Sequence, residues 1–394
     1  MKKIILLGAF DRYNYGDNLM PILFELYAKK YMPEIFLNYV FEYAAISDSN
    51  LKKYNCLSTK NINSYTNEDF EALVVIGGEV LCAKNADLYL HMQDSQLEHN
   101  VLRILKKVFR GLFSYYSDPK YSAKWEYPYI PSSRFFKSSP KVIFNTVGGG
   151  LHGIKRKDKA EVELRLKEAT YFSVRDVRTK NELKNVRGTN LAPDSAYIMS
   201  DLVDEALFEE KVTGKVKVAC SQNYIVFQAA PQKIGVPVSR LINEIRNISN
   251  KENMKVILLP IGYASGHDDN VLLAKIHSAL PECTDLLYEL NVWEIMYVIR
   301  NSHMFFGTSL HGIITAMSFG IPHFGLNQGI KKLNSFLQDW SVTPFDQCYS
   351  AEKMSSLTSS FNLKNVAALK NKTAFIVDAV KANNDSILKT IVED

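Results

Sequence analysis

His311 is the residue best placed for proton transfer. It stands in Phe305–Pro322, FFGTSLHGIITAMSFGIP, which reads as the end of an apolar strand, a turn of small residues, a helix and a Gly-Ile-Pro stop. No Asp, Glu, Lys or Arg occurs from Asn301 to Ile330, so the segment belongs to the interior. An imidazole titrates near neutrality and serves as general acid or base when it faces a cleft. A core histidine bonded to a carbonyl is the alternative. A position in the first helical turn, just after a strand end, favours the cleft. Ser309 or Thr308 can cap that helix, and its unpaired N–H groups and dipole make an anion site.

Other strand ends carry groups that suit anionic ligands. Arg175 and Asp176 follow the strand Tyr171–Val174; a guanidinium fork matches a carboxylate or a phosphate, and Asp176 can pair Arg175 or Arg178 to fix the loop. Gly77 and Gly78 follow Leu73–Ile76, and Gly148, Gly149 and Gly150 follow Lys141–Val147. Backbone N–H groups in such turns approach a ligand closely. His152, just beyond the triple glycine, can touch substrate. Asn14, Gly16 and Asp17, in GAFDRYNYGDNL, are either a site loop or a tight turn with a helix cap. His267, Asp268 and Asp269 lack ligand-like spacing for a metal and read as a helix cap. His323 packs against the last strand.

Positioning these groups takes a parallel sheet, and the elements alternate accordingly. Lys3–Phe10 is a buried strand, Leu19–Lys30 a helix that Asp17 can cap, and Ile35–Tyr43 another strand. Leu191–Ser195 closes the first half, and Asp201–Lys217 is a charged connector. Strands at Tyr224–Ala229, Lys255–Pro260, Met304–Phe306 and Pro322–Leu326 alternate with helices at Val238–Ile248, from Asn270, and at Val292–Asn301; Asn365–Val380 is a further helix. The expected class is α/β, with two doubly wound Rossmann-like domains facing across a cleft. The boundaries are 1–200, 201–345 with His311, and a helical tail over 346–394.

The chain has 394 residues, 46% hydrophobic and 23% charged, with a net charge of +5. That suits a soluble globular protein and gives no reason to expect nucleic acid. Cys56, Cys82, Cys220, Cys283 and Cys348 are scattered and form no CxxC pair, which suits a reducing cytoplasm and argues against a disulfide framework and a thiolate zinc site. The apolar start is cut by Asp11 and Arg12 and reads as a strand, and no stretch suits a membrane span. Val101–Tyr116, VLRILKKVFRGLFSYY, is either a packed helix with a solvated basic face or an edge resting on an anionic membrane.

GAFDRYNYGDNL, VIGGE at Val75–Glu79, FSVRDVRTKNEL at Phe172–Leu183, APDSA at Ala192–Ala196, TSLHGIITAMSFGIP at Thr308–Pro322 and Lys332 together resemble the polysaccharide pyruvyl transferase family. The likeness spans about Lys2 to Trp340 and implies a fold like that of GT-B glycosyltransferases. It implies transfer of a pyruvyl group from phosphoenolpyruvate, a co-substrate with no resident cofactor, onto two hydroxyls of a sugar, forming a cyclic ketal. The acceptor would be a polysaccharide or its lipid-linked precursor, met at the inner face of the membrane; a homo-oligomer is compatible with the sequence. The family pattern points at His311 and Arg175 as catalytic, with Ser309, Leu310, Gly312, Lys332, Gly77 and Gly78 around the donor. Family members commonly carry Arg two residues before this His; here that position is Ser309, so Arg178, Lys331 or Lys332 would have to supply the charge. A glycosyltransferase using a nucleotide sugar is the alternative for the same cleft, and a non-catalytic partner in glycan assembly is a third.

Overall fold

Short apolar runs buried on both faces make the sheets; Ala72–Ile76 and Tyr224–Gln228 are buried at every position, as parallel strands covered by helices must be. The computed structural model describes residues 1–81, 83–90, 92, 96–151, 154–262 and 269–393. In the first sheet the strands are β1 (Lys2–Leu7), β2 (Tyr39–Ala45), β3 (Lys60–Asn61), β4 (Ala72–Ile76), β5 (Lys141–Val147), β6 (Tyr171–Val174) and β7 (Thr189–Leu191). The second has β8 (Tyr224–Gln228), β9 (Lys255–Leu258), β10 (Thr284–Leu286), β11 (Met304–Gly307), β12 (His323–Leu326) and β13 (Cys348–Tyr349). The orders are β3-β2-β1-β4-β5-β6-β7 and β10-β9-β8-β11-β12-β13, with every strand pair parallel. Each order reverses once, between β1 and β4 and between β8 and β11. These are the places where a doubly wound sheet opens a crevice at its carboxyl edge.

A shared core joins the halves. Tyr15, Leu19, Met20 and Leu23 of α1 (Tyr15–Tyr31) belong to one apolar cluster with Ile313, Ile314 and Met317 of the helix Leu310–Ser318. Hydrogen bonds cross the same seam: Tyr15 Oη lies 2.8 Å from Thr315 Oγ1, and Tyr13 Oη donates to the Leu290 carbonyl at 2.7 Å. The helix Leu363–Val392 then runs back to the first sheet. Its Asn383 donates to Asn145 Oδ1 of β5 at 2.9 Å, its Asp385 accepts from Tyr27 at 2.6 Å, and its Lys381 pairs with Asp201 at 2.6 Å.

Several elements depart from the sequence reading. Helix α1 starts at Tyr15 with Asn14 as N-cap, so Asp17 lies inside its first turn and does not cap it. Ile35–Asn38 is helical, in α2 (Pro33–Asn38), because Pro33 at the first helical position has its φ preset and its missing N–H needs no partner there. The connector Asp201–Lys217 folds as short helices, the second sheet gains β13 beyond Leu326, and the helix expected over Asn365–Val380 is longer at both ends. After α3 (Asn85–Leu90), the basic stretch breaks at Phe109 into α4 (Gln96–Val108) and α5 (Arg110–Ser117). Its outward face is not simply a solvated basic one: Val101, Ile104, Val108, Phe109, Leu112 and Tyr115 are exposed, while Leu102 and Phe113 are buried. Among the described residues, no helix is long and apolar enough to cross a membrane.

His323 lies buried within β12. Its Nδ1–H donates to the Ile321 carbonyl at 2.9 Å, which leaves Nε2 to accept from Ser341 Oγ at 3.2 Å. Burial pushes its pKa down to about 4, against the smaller opposing pull of that carbonyl. The unfolded chain takes up this proton near pH 6.5 and the folded chain only near 4, so stability falls as pH drops through that window. Between pH 7 and pH 5 the parent should lose about 2 kcal/mol more than His323→Asn, read from urea midpoints. Equal losses would remove His323 as the source.

Candidate active site

Loops after the four strands at the two reversals meet around one cavity of about 340 Å³. Arg12, Asn14 and Asp17 come from after β1, Gly78 and Glu79 from after β4, Gln228, Ala230 and Lys233 from the end of β8 and beyond, and Thr308–His311 from after β11. Arg175, Lys332 and Asp269 complete its charged lining with Asp87 of α3.

The turn that carries His311 is held from below. Gln228 Oε1 accepts the N–H groups of Thr308 and Ser309 at 3.0 and 2.9 Å, and its Nε2 donates to Asp269 Oδ2 at 2.7 Å. The same carboxylate oxygen accepts from the N–H groups of Ile261 and Gly262, both at 3.1 Å, so Asp269 ties a strand end rather than capping the helix that it begins. Ser309 is the N-cap, accepting from Gly312 N at 3.3 Å. The N–H groups of Leu310 and His311 precede the first intrahelical bonds and point toward the cavity end of the helix dipole.

His311 rests on Gly16: a Cβ there would stand 1.9 Å from His311 Nδ1, so only glycine lets the ring lie against α1. Its Nε2 lies 3.7 Å from Asp194 Oδ2, a charge contact too long for a hydrogen bond, and has no hydrogen-bond partner among the described residues. Arg175 Nη1 donates to that same Asp194 oxygen at 3.0 Å. Asp194 Oδ1 accepts from Ala196 N at 3.1 Å. Burial works to raise the Asp194 pKa, but the favourable influence of His311, and then the charge of Arg175, hold the carboxyl at about 2. Arg175 is only 1% exposed, and a Cβ at Gly148 would stand 2.7 Å from its Nε. Trp340 donates to the Arg175 carbonyl at 2.8 Å, and Asp176 caps the helix Val177–Glu182 through Thr179 N at 2.7 Å.

Glu79 gathers cations from both halves: Arg178 Nη2 at 2.7 Å and Lys332 Nζ at 3.5 Å. Burial opposes its ionisation, but Lys332, Arg175 and Arg178 together hold its carboxyl at about 2. Burial first, and the nearby Lys332 second, push Lys233 down to about 8.

The structure thus brings His311, Arg175, Ser309, Leu310, Lys332, Gly78, Asn14 and Asp17 to one cavity. It places Gly77 elsewhere, with its N–H bonded to Asn145 O at 3.3 Å and its Cα against Met20. Gly312 packs on the Phe305 ring, and Gly149 is buried away from the lining. His152, His267 and Asp268 lie outside the described residues. Asp194 lies in the APDSA stretch and Glu79 in VIGGE, and their roles come from contacts distant in sequence. Lys233 follows a strand end, as Arg175 does; the tie between Gln228, Asp269 and the Thr308 turn has no local pattern, since its bonds span 80 and 41 positions.

Two doubly wound sheets with one cavity where both orders reverse define a GT-B-like architecture. UDP-GlcNAc 2-epimerase from Neisseria meningitidis, solved bound to UDP-GlcNAc, is similar with a TM-score of 0.54 and 12% identity over 100% of each chain. The UDP-GlcNAc 2-epimerase from Methanocaldococcus jannaschii is similar with a TM-score of 0.52 and 11% identity over 99% of each. At these identities the likeness is one of fold. Curated protein sequences offer no significant match. The family model for polysaccharide pyruvyl transferase matches residues 14–329, and the chain belongs to that family. It is a transferase.

Asp194→Asn keeps the shape of the carboxylate and removes its charge, leaving Arg175 buried without its nearest counter-charge. The expected loss of stability is about 3 kcal/mol, and Arg175→Met in the same background should restore part of it. Urea unfolding of the two single variants and the double variant checks this; strictly additive losses would mean that the pair does not interact.

Proposed function

We propose that the protein transfers a pyruvyl group from phosphoenolpyruvate onto two hydroxyls of a sugar, in a polysaccharide or its lipid-linked precursor, closing a cyclic ketal. The supporting observation is the meeting of His311, a helix start with open N–H groups and the cations Arg12, Arg175, Lys233 and Lys332 around one cavity. A donor with a phosphate and a carboxylate fits that set. In this reading one sugar hydroxyl adds to the enol carbon that bears the phosphate, and the methylene carbon takes up a proton and becomes methyl. The second hydroxyl then displaces phosphate. Of the two hydroxyl protons, one ends on the methyl carbon and the other leaves with phosphate.

His311 carries one of these protons, and ionised Asp194 stabilises the imidazolium that forms. Buried Arg175 acts chiefly through its field and through Asp194, since one arm of its fork is already bound. Lys332 and Lys233 lie where they can meet the phosphate, offsetting the absence of Arg at position 309. Phosphoenolpyruvate is a co-substrate here, with no resident cofactor, and the reaction is placed in the cytoplasm.

Phosphoenolpyruvate should raise the melting temperature, by an amount equivalent to about 2.7 kcal/mol at a hundredfold excess over Kd, while nucleotide sugars should not. The reverse result would favour a glycosyltransferase. His311→Ala should keep donor binding and lose ~10²–10⁴ in phosphate release, and a loss below tenfold would discard the proton-transfer role.

Lys233 is protonated below about pH 8 and neutral above it, so donor affinity should fall as pH rises through 8. Calorimetry should show that fall in the parent and a flatter profile in Lys233→Arg, whose charge persists. Parallel profiles would exclude Lys233 from the donor site.

A further inference from the structure

Helices α4 and α5 turn an apolar face to water. Val101, Ile104, Val108, Phe109, Leu112 and Tyr115 are each 58% to 81% exposed. Positions 101, 104 and 108 share one side of α4, and 112 and 115 one side of α5. Leu102 and Phe113, in the core of the first half, hold the pair down. So many large apolar side chains exposed together mark an interaction surface.

Its charge says what kind of surface it meets. From Val101 to Ser117 the only charged residues are Arg103, Lys106, Lys107 and Arg110. Arg103 and Lys107 are exposed, and Lys120 Nζ lies 3.6 Å over the Tyr116 ring. Aliphatic and aromatic tips set among these cations, with the exposed acids Glu98 and Asp118 only at the outer ends of the two helices, match the boundary between anionic headgroups and acyl chains. Helix α3 connects this face to the cavity. Asp87 and Leu88 line the cavity, Lys106 of α4 pairs with Asp87, and Tyr89 packs its ring on Phe113 and Tyr116 at 6.3 and 6.1 Å between centroids.

We propose that α4 and α5 dock the protein on an anionic lipid bilayer, so that a lipid-borne acceptor meets the cavity beside α3. The docking stands on the α4–α5 face alone; only the acceptor's arrival rests on the function proposed above. The full chain should co-sediment with vesicles of phosphatidylcholine mixed with phosphatidylglycerol, not with phosphatidylcholine alone, and should detach at high salt. Phe109→Ser with Leu112→Ser should abolish binding, and Lys107→Glu should weaken it at least roughly fivefold, all with unchanged melting temperatures.

Failure to bind the mixed vesicles, or binding that survives Phe109→Ser with Leu112→Ser, overturns the proposal. So does a dimer that the same substitutions split and that ignores vesicles, which would assign the face to a second copy of the chain. No donor or acceptor enters the assay, so its failure would leave the transfer reaction untouched. Conversely, a lack of transfer to a soluble acceptor would leave the vesicle result standing.

Discussion

The buried carboxylate of Asp194 is the constraint around which the cleft is assembled. An isolated negative charge in so dry a place would be too unfavourable to keep, and it persists because two groups from different sheets face the same oxygen. Arg175 comes from the end of β6 and His311 from the helix after β11. Neither could reach without room. Gly148 lets the guanidinium lie against the β5 turn, and Gly16 lets the imidazole lie against α1. Residues with no side chain are thus fixed by the electrostatics of a residue that touches neither of them.

Glu79, in the lining of the cavity, works differently. Glu79 also links the halves, through Arg178 and Lys332, but all three side chains are about one-third exposed. Water screens such contacts and they exchange readily. An incoming anion can therefore take Lys332 from Glu79 without exposing a bare charge in the interior. The Asp194 contact has no such freedom. The floor of the cavity is rigid in its charges and its rim is adaptable.

Much of this was legible in the chain because it depended on local pattern. Strand β5 and strand β6 were read to the residue, and the helix of His311 was recognisable from its small-residue turn and its lack of charge. Where reading failed, a distant partner decided. The two residues of β13 form a strand only because β12 offers an edge. Gln228 looks like the polar end of a strand until the turn at Thr308 is folded onto it. Asp17 looks like a cap, but Asn14 pairs with Gly262 of the other half and the helix begins earlier. The GGE and GGG turns misled in part: glycine there serves chain path and packing at Gly77, and the open N–H groups lie at the start of the His311 helix instead.

The return of the helix Leu363–Val392 to the first sheet sets an order of events during synthesis. Asn145, in the middle of β5, finds its partner in Asn383, 238 positions later, and Tyr27 waits 358 positions for Asp385. Contacts that distant are slow to close, and a polar group in a sheet interior is poorly tolerated while it lacks a mate. The amino-terminal sheet therefore leaves the ribosome as an unfinished layer, covered by α1 but open beside β5 and β6 until the whole second sheet has been made. Such exposure makes a nascent chain prone to aggregate, and a stall after the second sheet would release a protein whose cleft residues are all present but whose first half is not yet sealed.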